Sequence, residues 1–258
     1  MIFSKAPNFW RDRLVASSVH FGMSLGIAAL AGLLVFGLWY PYPYREISGG
    51  RELFLLLVTV DVILGPLITL AVFNRTKPAA ELWRDLFFVG VVQSAALTYG
   101  LWTVMVARPV HMVFEINRFR VVHAVDVPLQ LLPRTPSGVI ALPLTGPTML
   151  GLRPFRDDSE RMEATVAAVN GLHLGVRPDL WQPYSNSVVD VLTEAMPTTR
   201  LKQRFTGQSA EIDRVLSAVG RSANNTVYLP LVAPKFFWTV FLDPVTAEVV
   251  ATMPLDPF

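Results

Sequence analysis

Residues 53–73, LFLLLVTVDVILGPLITLAVF, decide the fold class of this chain. This stretch is 21 residues long and holds a single charged side chain, Asp61, near its middle. At about 1.5 Å of rise per residue, a helix of this length covers about 31 Å, which matches the hydrocarbon thickness of a bilayer. A carboxyl group at that depth costs about 2.5–3.5 kcal/mol on insertion scales, so we expect Asp61 to face protein or water rather than lipid.

Two further apolar stretches flank this segment, at about residues 19–40 and 86–107. Each is close to the roughly 20 residues that a transmembrane helix requires. The first is longer than the roughly 7–15 apolar residues of a signal peptide and ends without a small-residue cleavage pattern, which predicts a retained helix. We therefore expect three transmembrane spans, at 19–40, 53–73 and 86–107, within a membrane region of residues 1–108.

The charged residues are distributed unevenly along the chain. Residues 1–108 hold 15 of them with a net charge of +3, and residues 109–258 hold 27 with a net charge of −1. The pI of about 9.0 therefore reflects the membrane-flanking part, and no basic stripe in the second part indicates a nucleic-acid surface. The chain has no cysteine, which excludes disulfides, thiolate metal ligands and cysteine nucleophiles.

Basic residues near the spans predict the orientation of the chain. The two flanks that would face the cytoplasm carry three basic residues each, Lys5, Arg11 and Arg13 before the first span and Arg75, Lys77 and Arg84 between the second and third. The loop between the first and second spans carries only Arg45 and Arg51. This bias favours a cytoplasmic N-terminus, so residues 109–258 would lie outside, in the periplasm of a bacterial cell. The aromatic run at residues 39–44 would then lie at the outer interface.

Residues 109–258 have the alternating pattern of an α+β domain. Residues 110–116 and 119–125 flank Asn117-Arg118, which predicts a hairpin with that pair as its turn. This register sets Glu115 opposite Arg120 as a structural ion pair and Phe114 opposite Val121. The fold class is thus three N-terminal transmembrane helices followed by a periplasmic α+β domain with antiparallel hairpins.

The rest of the domain contains further helix and hairpin signals. Helices are predicted at residues 157–169, 186–195 and 209–219, of which the first begins with acidic residues and the last ends at Gly220. Residues 236–242 and 248–253 flank Asp243-Pro244 and predict a second hairpin. Residues 126–156 are rich in Pro and Gly and predict loops with short strands.

The residues that usually carry chemistry form no recognisable site. His111 and His123 point to opposite faces of the predicted hairpin, so they would not share a metal, and no common catalytic or nucleotide-binding motif occurs. A polytopic enzyme would need several acids or histidines at the outer interface, and Glu46, Glu52 and Asp61 do not make a convincing set. We expect no catalytic residue, no cofactor and no metal.

The spans themselves offer the better candidates for contact with a partner helix. Gly22 and Gly26 form a GxxxG motif in the first span, continued by Gly32, and such faces allow helices to approach closely. This face could pack within the chain's own three helices or against a helix of another protein.

The second span combines a carboxylate with a helix-breaking residue. Gly65 lies one turn from Asp61, and Pro66 cannot donate to the carbonyl of Val62, so we expect a kink there. Polar residues of the third span, Gln93, Ser94, Thr98 and Tyr99, could satisfy Asp61 internally. Alternatively, Asp61 could accept a positive group from a partner.

Three segments of the chain resemble those of the type IV pilin accessory proteins, the TfpX/TfpZ or FimB-like family. They are DVILGPLITLAVFN at residues 61–74, ARPVHMVFEINRFRVV at residues 107–122 and LWYPYPY at residues 38–44. The resemblance implies a bacterial inner-membrane protein that assists the assembly or stability of a type IV pilin and is not an enzyme. It supplies no catalytic residue to carry over. A membrane-anchored periplasmic binding or sensor module is the alternative interpretation.

Overall fold

The computed structural model describes residues 9–258, so Lys5 of the orientation argument lies outside the described residues. The chain forms two compact units. The first comprises residues up to Leu38 together with Gly50–Val106, and the second comprises Trp39–Gly49 together with Ala107–Phe258.

The first unit contains three helices that are long and apolar enough to cross a membrane. They are a first span, Phe9–Trp39, which begins with the helix α1 (Phe9–Leu34), a second span, Gly50–Val72, and a third span, which is the helix α5 (Ala79–Val106). Each helix begins before the apolar stretch that was predicted for it. The backbone is already helical in charged flanks such as residues 11–13, whereas the hydropathy of the sequence indicates only the apolar part that would lie in the bilayer. The three predicted spans are confirmed as helices of membrane length.

The two α-helical parts of the second span meet at a π-helical turn. The helix α3 (Gly50–Thr59) leads into the turn Val60–Leu64, and α4 (Gly65–Val72) follows. Pro66, in the first turn of α4, has no N–H to donate, so the backbone ahead of it adopts a wider turn. Asp61 therefore lies within the irregular turn. Single π-helical turns of this kind are frequent at functional sites.

The second unit is built on a mixed eight-stranded sheet. The strands are β1 (Pro109–Glu115), β2 (Arg118–His123), β3 (Thr148–Leu152), β4 (Trp181–Pro183), β5 (Met196–Pro197), β6 (Val227–Val232), β7 (Phe237–Leu242) and β8 (Val249–Met253). Their order in the sheet is β4-β3-β1-β2-β6-β7-β8, and β5 pairs with β6. Both predicted hairpins form, as β1/β2 and β7/β8. The pairs β1/β3 and β2/β6 are parallel, which the prediction of antiparallel hairpins did not include.

Four helices of at least seven residues accompany the sheet. Three of them match the predicted segments, and α8 adds a fourth; they are α6 (Asp158–Val169), α7 (Val188–Glu194), α8 (Thr198–Arg204) and α9 (Ser209–Ser217). The Asp157 side chain caps α6 by accepting the backbone N–H of Glu160 at 2.7 Å. Gly171 and Gly220, which follow α6 and α9, both adopt the left-handed backbone that favours glycine.

The predicted register of the first hairpin is wrong. Glu115 pairs with Arg118 and Phe114 pairs with Phe119, so the two turn residues are Ile116 and Asn117. The Phe114 and Phe119 rings meet at 5.7 Å in the core, and this aromatic packing outweighs the left-handed φ of 59° at Ile116. The ion pair between Glu115 and Arg120 still forms, as a diagonal contact on one face of the hairpin.

A short segment between the first and second spans belongs to the core of the second unit. The helical turn α2 (Tyr44–Ile47) places Ile47, which is fully buried, in the main apolar cluster of the sheet. The Tyr44 hydroxyl lies 3.5 Å from the sulfur of Met112, and the Tyr42 ring contacts Trp238 at 6.3 Å between centroids. Tyr40 is also fully buried. Part of the aromatic run expected at a membrane interface therefore packs as protein core.

Candidate functional site

The polar side chains of the three spans meet around Gln93. Its amide nitrogen donates to the Ser24 hydroxyl at 3.1 Å and to the backbone carbonyl of Asp61 at 2.8 Å. One side chain of the third span is thus bonded to both other spans. Because lipid supplies no competing water, such bonds are a principal means of holding membrane helices together, each worth about 0.6–1.7 kcal/mol.

Two further polar contacts join the first and second spans. The Ser17 hydroxyl donates to the carbonyl of Pro66 at 2.9 Å, and His20 Nδ1 lies 2.6 Å from the hydroxyl of Thr69. Residues 17, 20 and 24 are three and four positions apart, so they share one face of the first helix. Gln93 was predicted as a partner near Asp61, but this polar face was not. Its signal was present in the sequence as the spacing of polar residues in an apolar span.

Asp61 is buried, and one oxygen of its carboxyl group has no hydrogen-bond partner among the described residues. Its residue surface is 5% exposed, and its Oδ1 atom has no hydrogen-bond partner in the part of the chain that the structure describes. The same holds, among residues 9–258, for Oε1 of Gln93. One acceptor atom of the second span, Asp61 Oδ1, and one of the third span, Gln93 Oε1, therefore have no hydrogen-bond donor among the described residues.

These two residues line a groove of about 370 Å³ between the second and third spans. The other residues of its wall are apolar or small, namely Val60, Leu64, Gly65, Ile68, Phe88, Val89, Val92 and Ala96. An adjoining groove of about 280 Å³ shares Val60, Asp61 and Ala96 with the first and continues along the same two helices to Leu53. The groove surface is apolar, and the two unsatisfied acceptor atoms are buried beneath it.

The predicted partner-helix residues fall into two groups. Gly65 lies against the Gln93 side chain, which occupies the space that a Cβ at Gly65 would need, and a Cβ at Gly32 would lie 3.1 Å from the Phe54 ring. These two, with the buried Pro66, pack within the three helices. Gly22 and Gly26 are open, since a Cβ built at either one would meet no described atom within 4 Å beyond its chain neighbours and the backbone of its own helix. The predicted GxxxG face is therefore unoccupied at its first two positions.

Two buried polar residues of the second unit, Glu115 and His111, are engaged in its own structure. Glu115 is buried and accepts hydrogen bonds from Arg120 Nε at 2.6 Å and from the Gly175 backbone N–H at 2.8 Å. His111 Nε2 donates to the carbonyl of Ala141 at 2.9 Å, which leaves Nδ1 to accept from the Thr148 hydroxyl at 2.7 Å. Within residues 9–258 no group of three or more His, Asp or Glu side chains could hold a metal ion.

The comparisons with known proteins agree on one family. The family described as "Fimbrial assembly protein FimB" matches residues 8–49. A protein named "Fimbrial assembly protein, serogroup I" from Dichelobacter nodosus is 32% identical over 229 residues, which cover 88% of this chain and 89% of that protein. The serogroup E1 protein of the same organism is also 32% identical, over 88% of this chain and 89% of its own length. A relative named for serogroups C1 and C2 is 39% identical, over 46% of this chain and 90% of its own length.

No solved structure matches the chain. The sequence relatives, however, extend across both of its units, because each of the first two covers close to nine-tenths of it. A likeness of this extent and identity cannot arise from apolar spans alone, since it includes the α+β unit as well. The chain belongs to the family of fimbrial assembly proteins.

Proposed function

We propose that this protein is an inner-membrane accessory protein that assists the assembly or stability of a type IV pilin and catalyses no reaction. The proposal rests on the membership of this chain in the family of fimbrial assembly proteins, together with its three helices of membrane length. A pilin awaiting assembly keeps an apolar helix in the membrane and a globular head outside it. The spans would contact that helix, and the α+β unit would contact the head.

The basic flanks support a cytoplasmic N-terminus. Arg75 Nη1, in the loop between the second and third spans, lies 3.5 Å from Asp12 Oδ1 at the start of the first span. This contact brings the two more basic flanks to the same end of the three-helix unit. By the positive-inside rule that end would face the cytoplasm, and the chain would leave the third span on the periplasmic side.

The fold offers two surfaces for a pilin helix. One is the open face at Gly22 and Gly26, where small residues would allow a close approach. The other is the groove beside Asp61. The proposed function requires contact at one of these surfaces at least.

Cysteine crosslinking in piliated cells tests this contact. Because the chain has no native cysteine, single substitutions Gly26→Cys and Val92→Cys would report on the open face and the groove separately. Ala31→Cys is the matched control, since Ala31 lies on the first span but is buried within the unit. With a cysteine in the apolar helix of pilin, we expect a crosslink from Gly26→Cys or Val92→Cys and none from Ala31→Cys. Crosslinks from neither surface, with normal protein levels, would contradict the proposal.

A further inference from the structure

We infer that the second unit binds the surface of the bilayer through two exposed apolar segments, the tip of the β6/β7 hairpin at residues 234–237 and the loop at residues 140–144. This lipid contact is additional to the three spans. It requires the spans to lie in a membrane, but it requires no pilin.

The chain itself holds the start of β1 close to the membrane. Residues 86–107 contain no charged side chain, and Arg108 is the first charged residue after them. Pro109, the first residue of β1, is three positions after Val106, the last residue of the third span. A chain of three residues extends over about 10 Å at most. The end of the sheet at which β1 begins is therefore within reach of the bilayer surface.

The register of the sheet places the hairpin tip at the same end. His123, the last residue of β2, pairs with Pro109. The strand β6 runs parallel to β2, and Arg120 of β2 pairs with Val232, the last residue of β6. The chain beyond Val232 therefore continues in the direction in which β2 runs from Arg120 to His123. Residues 234–237 thus lie towards the end of the sheet at which β1 begins.

The tip has the composition of an interfacial anchor. Residues 234–237, Pro-Lys-Phe-Phe, are four consecutive exposed residues in the turn between two strands whose other residues are mostly buried. Phe236 is 49% exposed, and the ring of Phe237 contacts that of Phe258, which is itself exposed. At the boundary between head groups and acyl chains, phenyl rings can leave water while a lysine such as Lys235 keeps its charge among the head groups.

A second exposed apolar segment is attached to the residue that follows the third span. Arg108 donates from Nε and from Nη2 to the carbonyl of Pro143, at 3.1 Å in both cases. On either side of this anchored carbonyl, Ile140 is 73% exposed and Leu144 is 66% exposed. These hydrogen bonds hold the loop near the point where the chain leaves the span. The bilayer surface is thus the apolar environment within reach of both segments.

Fluorescence quenching by lipids tests this contact in the full-length protein reconstituted into nanodiscs. The chain has no native cysteine, so a dye on Pro234→Cys labels the tip and a dye on Thr145→Cys labels the loop, with Phe236 and Leu144 left in place. Ile116→Cys, in the exposed turn between β1 and β2 at the opposite end of the sheet, is the matched control. The lipids carry a nitroxide in the upper part of the acyl chain. We expect several-fold stronger quenching at 234 and 145 than at 116, and equal quenching at the three positions would overturn the inference.

A substitution in the tip separates binding to lipid from mere closeness to the spans. In the labelled Pro234→Cys protein, we expect Phe236→Ser to reduce quenching several-fold, because the ring no longer holds the tip at the acyl boundary. Val245→Ser is the matched control, since Val245 is an exposed apolar residue in the turn between β7 and β8. Unchanged quenching in Phe236→Ser would overturn the role of the tip. The unfolding midpoint of each variant shows that the second unit remains folded.

A protein partner on this surface predicts a different result. The dye at 234 would then stay unquenched in nanodiscs that contain only this protein, while Pro234→Cys would crosslink to pilin in piliated cells. That outcome would overturn the lipid contact and leave the proposed function intact. Quenching at 234 and 145 without pilin would support the lipid contact even if the crosslinks expected from Gly26→Cys and Val92→Cys were absent and the proposed function failed.

Discussion

Ile47→Ala is expected to lower the free energy of unfolding of the second unit by about 2–5 kcal/mol, although the second and third spans separate Ile47 from residues 107–258 of that unit. The residue is fully buried against the main core cluster, which includes Phe114, Leu229 and Trp238. Truncation removes apolar contact and leaves a cavity in a closely packed interior. The expected loss is large beside the total stability of about 5–15 kcal/mol that is usual for a domain.

Chemical unfolding of the full-length protein in detergent, followed by tryptophan fluorescence, would measure this effect. Trp181 and Trp238 are both buried in the second unit, so their emission reports on its unfolding. Arg45→Ala is the matched control, because Arg45 belongs to the same helical turn but is exposed. We expect a change within about 0.5 kcal/mol for the control. An unchanged midpoint for Ile47→Ala would mean that the segment between the first two spans is not part of the core.

Acidification from pH 7 to pH 4 is expected to cost the second unit up to about 3 kcal/mol through His111 alone. Burial lowers the pKa of His111 from about 6.5 to about 4, because the charged ring would lose its hydration. The ring also packs edge-on against Trp181 at 4.5 Å. Between the two pKa values the unfolded chain binds a proton that the folded chain does not. The contribution is therefore complete above pH 6.5 and is lost progressively as the pH falls towards 4.

Unfolding free energies measured at several pH values between 7 and 4 test this prediction. His111→Gln should be less stable at pH 7, because it loses the ring contact, but its stability should fall less between pH 6.5 and 4. His173→Gln is the matched control, since His173 is exposed and its replacement should leave the pH dependence unchanged. If the unfolding free energy of His111→Gln falls with pH as steeply as that of the unsubstituted protein, the acid sensitivity comes from other groups and the prediction is wrong.

The spans could be predicted because their signal is local. Twenty apolar residues in a row have few structural alternatives, and Pro66 necessarily disturbs the helix that contains it. The core role of Ile47 could not be predicted, because aromatic residues beside a span are equally typical of an interfacial belt. The hairpin register also depended on distant packing, in which the fit of Phe114 against Phe119 outweighs the turn preference of Ile116. The parallel pairing of β2 with β6 joins segments about a hundred residues apart, and no local pattern specifies it.

The polar residues at the centre of the candidate site, Asp61 and Gln93, could be predicted from the sequence, but the packing of the glycines around them could not. Asp61 and Gln93 stood out because polar residues are costly and rare in such spans. The division of the glycines was not readable from the sequence, since Gly26 and Gly32 belong to the same small-residue pattern. Only the helix arrangement determines that Gly32 packs against Phe54 while Gly26 remains open.

The central claim, that this protein assists a type IV pilin, is tested most directly by counting pili on cells that lack it. We predict that deletion reduces the number of pili per cell several-fold while pilin transcript levels stay constant, and that the unsubstituted chain supplied from a plasmid restores them. Unchanged pilus numbers in the deletion strain, with the pilin present and its other assembly proteins intact, would contradict the claim.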